Sequence, residues 1–213
     1  NWNMSSVLYI YGMFRNANEF NQDISSWDLP NVTTMFMMFQ NASAFNQDIG
    51  NWDVSNVTDM WLMFENAISF DQNLGSWDVS NVTDVGGMFS GVTLSVQNYD
   101  SLLIGWSNQN LESHLNFSGG NSNYSCAAIN AHNLLTGAPN YWTVTDGGLI
   151  NLAPIPDISV LNVVTAECSL ESLTAPTATD DCEEPVTATT SSVFPITSSE
   201  TIIWTYFDNE GYT

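Results

Sequence analysis

Tryptophan recurs at a strict interval of 25 residues, at Trp2, Trp27, Trp52 and Trp77. Its neighbours keep the same interval: Phe20, Phe45 and Phe70; Val7, Val32, Val57 and Val82; Ala17, Ala42 and Ala67. Met-Phe pairs follow at 13/14, 38/39, 63/64 and 88/89. A period in the twenties marks stacked supersecondary units, each too small to bury its apolar face alone. A chain built this way offers a long repetitive surface, which suits binding and display better than one catalytic pocket.

Charge narrows the partners. The 213 residues carry 23 Asp plus Glu against a single cationic side chain, Arg15, for a formal charge of −22. Nucleic acid is excluded as a partner, because phosphate binding needs Lys and Arg to displace counterions. Anionic membrane surfaces are disfavoured for the same reason. Divalent cations, cationic partners, or simple solubility in salty water that screens self-repulsion are favoured instead. Only 11% of residues are charged, so Asn, Ser, Thr and Gln must build most of the surface, an extracellular composition. No stretch approaches the roughly 18 apolar residues of a membrane span. Asn1 falls inside a repeat, with neither an initiator Met nor a signal peptide. The chain therefore reads as a piece of a longer protein, with further modules expected at both ends.

Within the unit Phe45 to Ala67, apolar residues fall at Val57, Met60, Met63, Phe64 and Ala67. That spacing predicts a short helix, capped by Asn56 or Thr58, with Asp59 in its first turn. Phe45, Ile49 and Trp52 are spaced for an extended segment with a bend. The expected coil is thus a short strand plus a short helix, its strands aligned into a parallel sheet. Asn31, Asn56 and Asn81 each open an Asn-Val-Thr sequon, but a stacked asparagine ladder is the preferred reading at a solenoid turn. Acidic residues form columns: Asp28/Asp53/Asp78, Asp23/Asp48 continued by Asn73, and Thr34/Asp59/Asp84. Carboxylates about 5 Å apart in water repel by somewhat under 1 kcal/mol, which an exposed face tolerates; Ca²⁺ bound between coils is the alternative reading of these columns.

Met63-Phe64, Ala67, Phe70-Asp-Gln and Trp77-Asp-Val-Ser-Asn-Val-Thr-Asp84, with their counterparts, resemble the BspA-like leucine-rich-repeat surface proteins. The match is to the 25-residue subclass of Bacteroidota and mycoplasmas, over about residues 1 to 91. It implies an α/β solenoid and a secreted or surface-displayed adhesion module with no catalytic residues.

The periodicity fails after Gly91. Helices are expected over Ser95–Trp106 and Ala127–Leu135, and strands over Leu115–Phe117 and Tyr141–Val144, a degenerate strand-helix-strand cap. Trp142 to Gly148 is similar to the close of many arrays in that family. Cys126 with His114 or His132 is the available thiol-imidazole pair, and no surrounding motif suggests a nucleophile. The absence of lysine excludes P-loop and Schiff-base chemistry. Glycosidase carboxylate pairs are singular, whereas these acidic columns repeat.

Asn151-Leu-Ala-Pro-Ile-Pro-Asp157 is a proline-marked linker. Beyond it, Val160–Val164, Val186–Thr190 and Thr201–Tyr206 read as strands of an all-β immunoglobulin-like sandwich. The Ala-Pro-Thr-Ala-Thr-Asp-Asp-Cys182 stretch, Pro195-Ile196 and Ile203 to Gly211 resemble hyalin-repeat-like modules. That resemblance implies a disulfide between Cys168 and Cys182, which would close a loop of about 15 residues worth about 3 kcal/mol. Cys126 is then expected as an unlinked buried thiol. Residues 149–213 are short for such a sandwich, so its final strand or strands are expected to be missing.

The expected domains are 1–91 (repeats), 92–148 (cap), 149–156 (linker) and 157–213 (partial immunoglobulin-like module). The expected function is a non-enzymatic secreted or cell-surface binding module for a protein or glycan ligand. A structural segment of a surface filament, or an accessory domain of a polysaccharide-degrading enzyme, are the alternatives. The ligand face is placed on Asn21, Asp23, Asn46, Asp48, Asp71 and Asn73. No cofactor is required. Calcium is expected first at Asp157, Asp180, Asp181, Asp208 and Glu210, whose clustered charge would be costly unless neutralised.

Overall fold

The computed structural model describes residues 2–150, 153–157, 162–165, 168–180, 182 and 186–207. The chain divides into two units, Asn1–Ile150 and Asn151–Thr213.

In the first unit the 25-residue period is a physical stacking distance. Parallel bridges join Tyr9 to Thr34, Thr34 to Asp59 and Asp59 to Asp84, so equivalent residues of successive coils lie side by side. Phe14, Phe39, Phe64 and Phe89 stack through the core with centroids 5.5, 5.5 and 5.3 Å apart. Phe20, Phe45 and Phe70 form a second stack at 5.9 and 5.8 Å. Each buried ring contributes a few kcal/mol by leaving water, and about 1 kcal/mol more by pairing. The indole N–H of Trp52 donates to the Ile24 carbonyl at 3.1 Å, and that of Trp77 to Ile49 at 3.0 Å. The repeated tryptophan therefore both fills the core and satisfies a buried carbonyl of the coil before it.

The expected helix of each coil does not form. No α-helix occurs within the described residues 2–94. The Val57–Ala67 segment is instead a chain of three-residue turns interleaved with bonds to the next coil. Met63 N–H bonds back to Met60, Glu65 to Leu62 and Ala67 to Phe64. Between them Leu62, Phe64 and Asn66 donate onward to Gly86, Met88 and Ser90. The apolar spacing near three that suggested a helix is the spacing of these turns. A helix is blocked because two positions per coil are left-handed: Gly12, Met37, Leu62 and Gly87 in one column, Asn16, Asn41, Asn66 and Gly91 in the other. The parallel pairing also lies in this half of the coil, at Thr34/Asp59/Asp84, and not at the Phe45–Trp52 segment expected to be the strand.

After the fourth coil the chain forms α1 (Val96–Ser107), β1 (Asn116–Ser118), β2 (Asn123–Tyr124), a 3-10 turn (Cys126–Ala128), α2 (Ile129–Thr136), β3 (Thr143–Thr145) and β4 (Gly148–Leu149). Both helices stand where the apolar pattern places them. α1 replaces a coil: Trp106 donates its indole N–H to Leu74 at 3.1 Å. Close approach needs small residues, and a Cβ on Gly105 would lie 1.9 Å from the Gly75 carbonyl oxygen. Parallel pairing continues through Val85 to Phe117 and from β1 to β3.

In the second unit, β5 (Ile155–Pro156) pairs antiparallel with β6 (Ala178–Thr179), and β7 (Thr187–Thr190) with β8 (Trp204–Phe207). β7 and β8 fall in the segments read as strands at Val186–Thr190 and Thr201–Tyr206. For the strand expected at Val160–Val164, residues 160 and 161 lie outside the described residues, and 162–164 are not in a strand.

The expected Cys168–Cys182 bridge is not present. Cys182 and Cys126 are the disulfide-bonded cysteines, and Cys168 is a free, exposed thiol. Sequence separation is a weak guide to pairing, because a loop four times longer costs only about 1.2 kcal/mol more to close.

Candidate functional site

The six residues read as a ligand face separate into two columns with different roles. Asn21, Asn46 and Asp71 hold the coils together. The Asn21 side-chain oxygen accepts from Asn46 N–H at 2.9 Å and from the Gln47 amide at 2.8 Å. Asn46 does the same for Asp71 and Gln72, at 2.9 and 2.7 Å. Asp71 then receives the backbone and hydroxyl of Ser95 and the amide of Asn98. The change from Asn to Asp falls where the column meets the start of α1, whose terminal N–H groups favour an anion. Burial raises the Asp71 pKa, but its bonds to Asn98 and Ser95 outweigh this and hold it below the ordinary 3.8.

Asp23, Asp48 and Asn73 are exposed. Each side chain accepts the N–H two residues on, from Ser25, Gly50 and Gly75, at 2.9, 3.0 and 2.9 Å. The Ser25 hydroxyl and then its N–H hold Asp23 ionised to lower pH than usual. The second and third members line an open groove of about 480 Å³ with Gly50, Asn51, Gly75, Ser76 and Ser101. Ile104 and Gly105 of α1 complete the lining, and a Cβ on Gly50 or Gly75 would meet the Asn73 or Ser101 carbonyl oxygen at 2.6 or 2.2 Å. Carboxylate, amide and hydroxyl oxygens repeat along it at coil spacing.

The sequon asparagines form the expected ladder. The side-chain amides of Asn31, Asn56 and Asn81 donate to Ser5, Pro30 and Ser55 carbonyls at 2.7, 2.9 and 2.8 Å.

Of the five residues expected to hold calcium, Asp157 and Asp180 are among the described residues. Asp157 accepts from Thr179, and bonds to Thr177 and then Thr179 lower its pKa. Asp180 accepts from Cys182 N–H at 2.8 Å. Asp181, Asp208 and Glu210 lie outside the described residues. No group of three or more His, Cys, Asp or Glu able to hold a metal ion occurs among the described residues.

The thiol-imidazole pair is not assembled either. Cys126 is oxidised, and His114 is exposed with Nδ1 3.0 Å from Ser113 Oγ. His132 takes part in a different arrangement, one that sequence reasoning missed. Its Nε2 lies 3.7 Å from Asp146 Oδ2, and its ring stacks on Tyr124 at 4.5 Å. Asp146 also accepts the Tyr99 hydroxyl at 2.7 Å and Gly148 N–H at 2.9 Å. Burial first, and then the Asp146 carboxylate, push the Tyr99 phenol pKa far up, so it serves only as a donor. Gly119 makes this possible, because a Cβ there would lie 2.3 Å from the Tyr99 hydroxyl. The four residues come from α1, β2, α2 and the turn between β3 and β4, and spacing could not have joined them.

No helix among the described residues is long and apolar enough to cross a membrane. No curated protein and no solved structure matches the chain. Residues 1–102, the four coils and the first half of α1, match the family model described as Mycoplasma protein of unknown function, DUF285.

Proposed function

We propose that the chain is a non-enzymatic, secreted or surface-displayed binding module of a larger bacterial protein. In this reading residues 1–91 are a solenoid of leucine-rich-repeat type closed by the cap at 92–148. Residues 157–213 are an immunoglobulin-like module that holds it away from its attachment. One observation carries the reading. The Asp23/Asp48/Asn73 column is exposed and its second and third members line a groove, while the neighbouring Asn21/Asn46/Asp71 column is engaged in holding the coils. The repeated side-chain oxygens suit a repetitive, hydroxyl-rich or amide-rich ligand, a glycan or an extended peptide.

The continuous ladders also favour a second reading, a stiff structural segment without a specific ligand. One experiment separates them. The full chain is screened on glycan and extracellular-matrix arrays, and each hit is repeated with the Asp48→Ala/Asn73→Ala double variant after its folding is checked. A hit lost in the variant supports the groove. A hit retained removes the groove from consideration, and no hit at all favours the structural segment.

A further inference from the structure

Most large side chains of the repeats recur from coil to coil; one outward group does not. Along the parallel bridges, residues 9, 34, 59 and 84 form one outward row and 11, 36, 61 and 86 the next, since i and i+2 share a face of extended backbone. Ile10, Met35, Met60 and Val85 between them are buried. The core columns repeat almost unchanged from coil to coil. The outward rows do not: they read Tyr9, Thr34, Asp59, Asp84 and Tyr11, Phe36, Trp61, Gly86. Four coils of one chain act as their own control, so stacking does not demand these rings.

The rows put aromatic rings beside unneutralised carboxylates. Phe36 and Trp61 stack at 5.1 Å with 19° between planes, and Tyr9 and Tyr11 are 63% and 69% exposed. The ladder stops at Gly86, where a Cβ would meet Trp61 Cδ1 at 2.8 Å. Asp59 Oδ1 accepts Trp61 N–H and Asp84 Oδ1 accepts Gly86 N–H, both at 2.9 Å. Among the described residues no other hydrogen bond or cation engages these two carboxylates, although bridged neighbours bring them side by side. Burial, and to a lesser degree Asp84, raise the Asp59 pKa against the bond from Trp61.

We infer that this face, the Asp59–Asp84 pair with the Phe36–Trp61 stack, docks an arginine-bearing segment of a partner protein. A guanidinium stacks on an aromatic ring and donates in a fork to a carboxylate, which one compact face here supplies together. The chain has one cation of its own against 23 acids, so the complementary charge must come from outside. A bound Ca²⁺ fits less well: it takes six to eight oxygens, and this pair offers few. The inference is independent of the groove at Asp48 and Asn73.

The test is fluorescence anisotropy of a labelled octapeptide alternating arginine and glycine, with the full chain, beside its lysine-glycine counterpart. Arginine should bind tighter than lysine. Asp59→Asn with Asp84→Asn keeps both turn acceptors and should weaken binding about tenfold, as should Trp61→Ala. The matched control Asp53→Asn with Asp78→Asn removes the same charge from another column and should change little. Equal losses in both charge pairs, no arginine preference, or no binding would overturn the proposal. So would a loss with Trp61→Ala alone, which would point to a neutral ligand on the rings.

Discussion

Trp106 donates its indole N–H to the carbonyl of Leu74 at 3.1 Å, the bond that Trp77 makes to Ile49 one coil earlier. A helix thus occupies the place of a coil and keeps its anchoring contact. Trp77→Phe and Trp106→Phe should therefore cost similar amounts, about 1 kcal/mol each from the hydrogen bond alone, because each removes one of the two bonds its carbonyl accepts, the other coming from the backbone N–H of Trp52 or Trp77. Urea unfolding of the two variants measures this. A much smaller cost at Trp106 would show that α1 is an appendage and not part of the stack.

Gly105→Ala separates propensity from packing. In an exposed helix the change would stabilise by about 1 kcal/mol. Here the new methyl would lie 1.9 Å from the Gly75 carbonyl oxygen, against backbone that cannot rotate away. We expect net destabilisation of at least about 2 kcal/mol. A rise in thermal midpoint would contradict the docking of α1 on the third coil.

Gly87→Ala should be destabilising for two reasons, a φ of +64° and a Cβ 2.4 Å from Leu62 Cδ2. The first costs about 1–2 kcal/mol whatever stands opposite. The second depends on Leu62. Leu62→Ala should recover part of the loss in a double-mutant cycle, and strict additivity would argue against contact between these neighbours of one column.

The two left-handed columns, Gly12/Met37/Leu62/Gly87 and Asn16/Asn41/Asn66/Gly91, mark the limit of what the sequence discloses. Trp52, Phe45, Val57 and Met63 are core residues by their interval alone, and all are buried. The turn geometry was half visible: Asn16, Asn41, Asn66 and Gly91, with Gly12 and Gly87, are residues that tolerate left-handed backbone. Met37 and Leu62 conceal it, because neither favours that conformation and both suit a helix. At the candidate face, register placed Asn21 and Asp23 side by side but could not show that one accepts from the next coil and the other from its own turn. The cysteine pairing failed because resemblance supplied a partner that the fold does not use.

Acid should weaken the stack through Asp71. Its pKa is depressed in the folded state, so its contribution is complete above the ordinary 3.8 and is lost as pH falls through the lower folded value. Asp23 and Asp53, each lowered first by the hydroxyl of its serine, act in the same direction. Asp59 is raised by burial and opposes them, gaining stability as it protonates. Melting temperatures from pH 6 downward should fall less steeply for Asp71→Asn than for the parent chain. Parallel curves would mean that Asp71 is not held ionised by Asn98 and Ser95.

Cys168 should be the single thiol that reacts with a disulfide reagent in the folded, unreduced chain, and Cys168→Ser should abolish the reaction. Labelling at Cys126 or Cys182 with Cys168 protected would reverse the assignment.

The coils are proposed to present an exposed array for a ligand. The direct measurement is amide chemical-shift mapping of the isotope-labelled full chain against any ligand found on the arrays. The predicted result is a set of shifts 25 residues apart along one exposed column, such as Asp48 with Asn73 and the facing Ser101. Shifts scattered without that period, or confined to residues after 150, would contradict it.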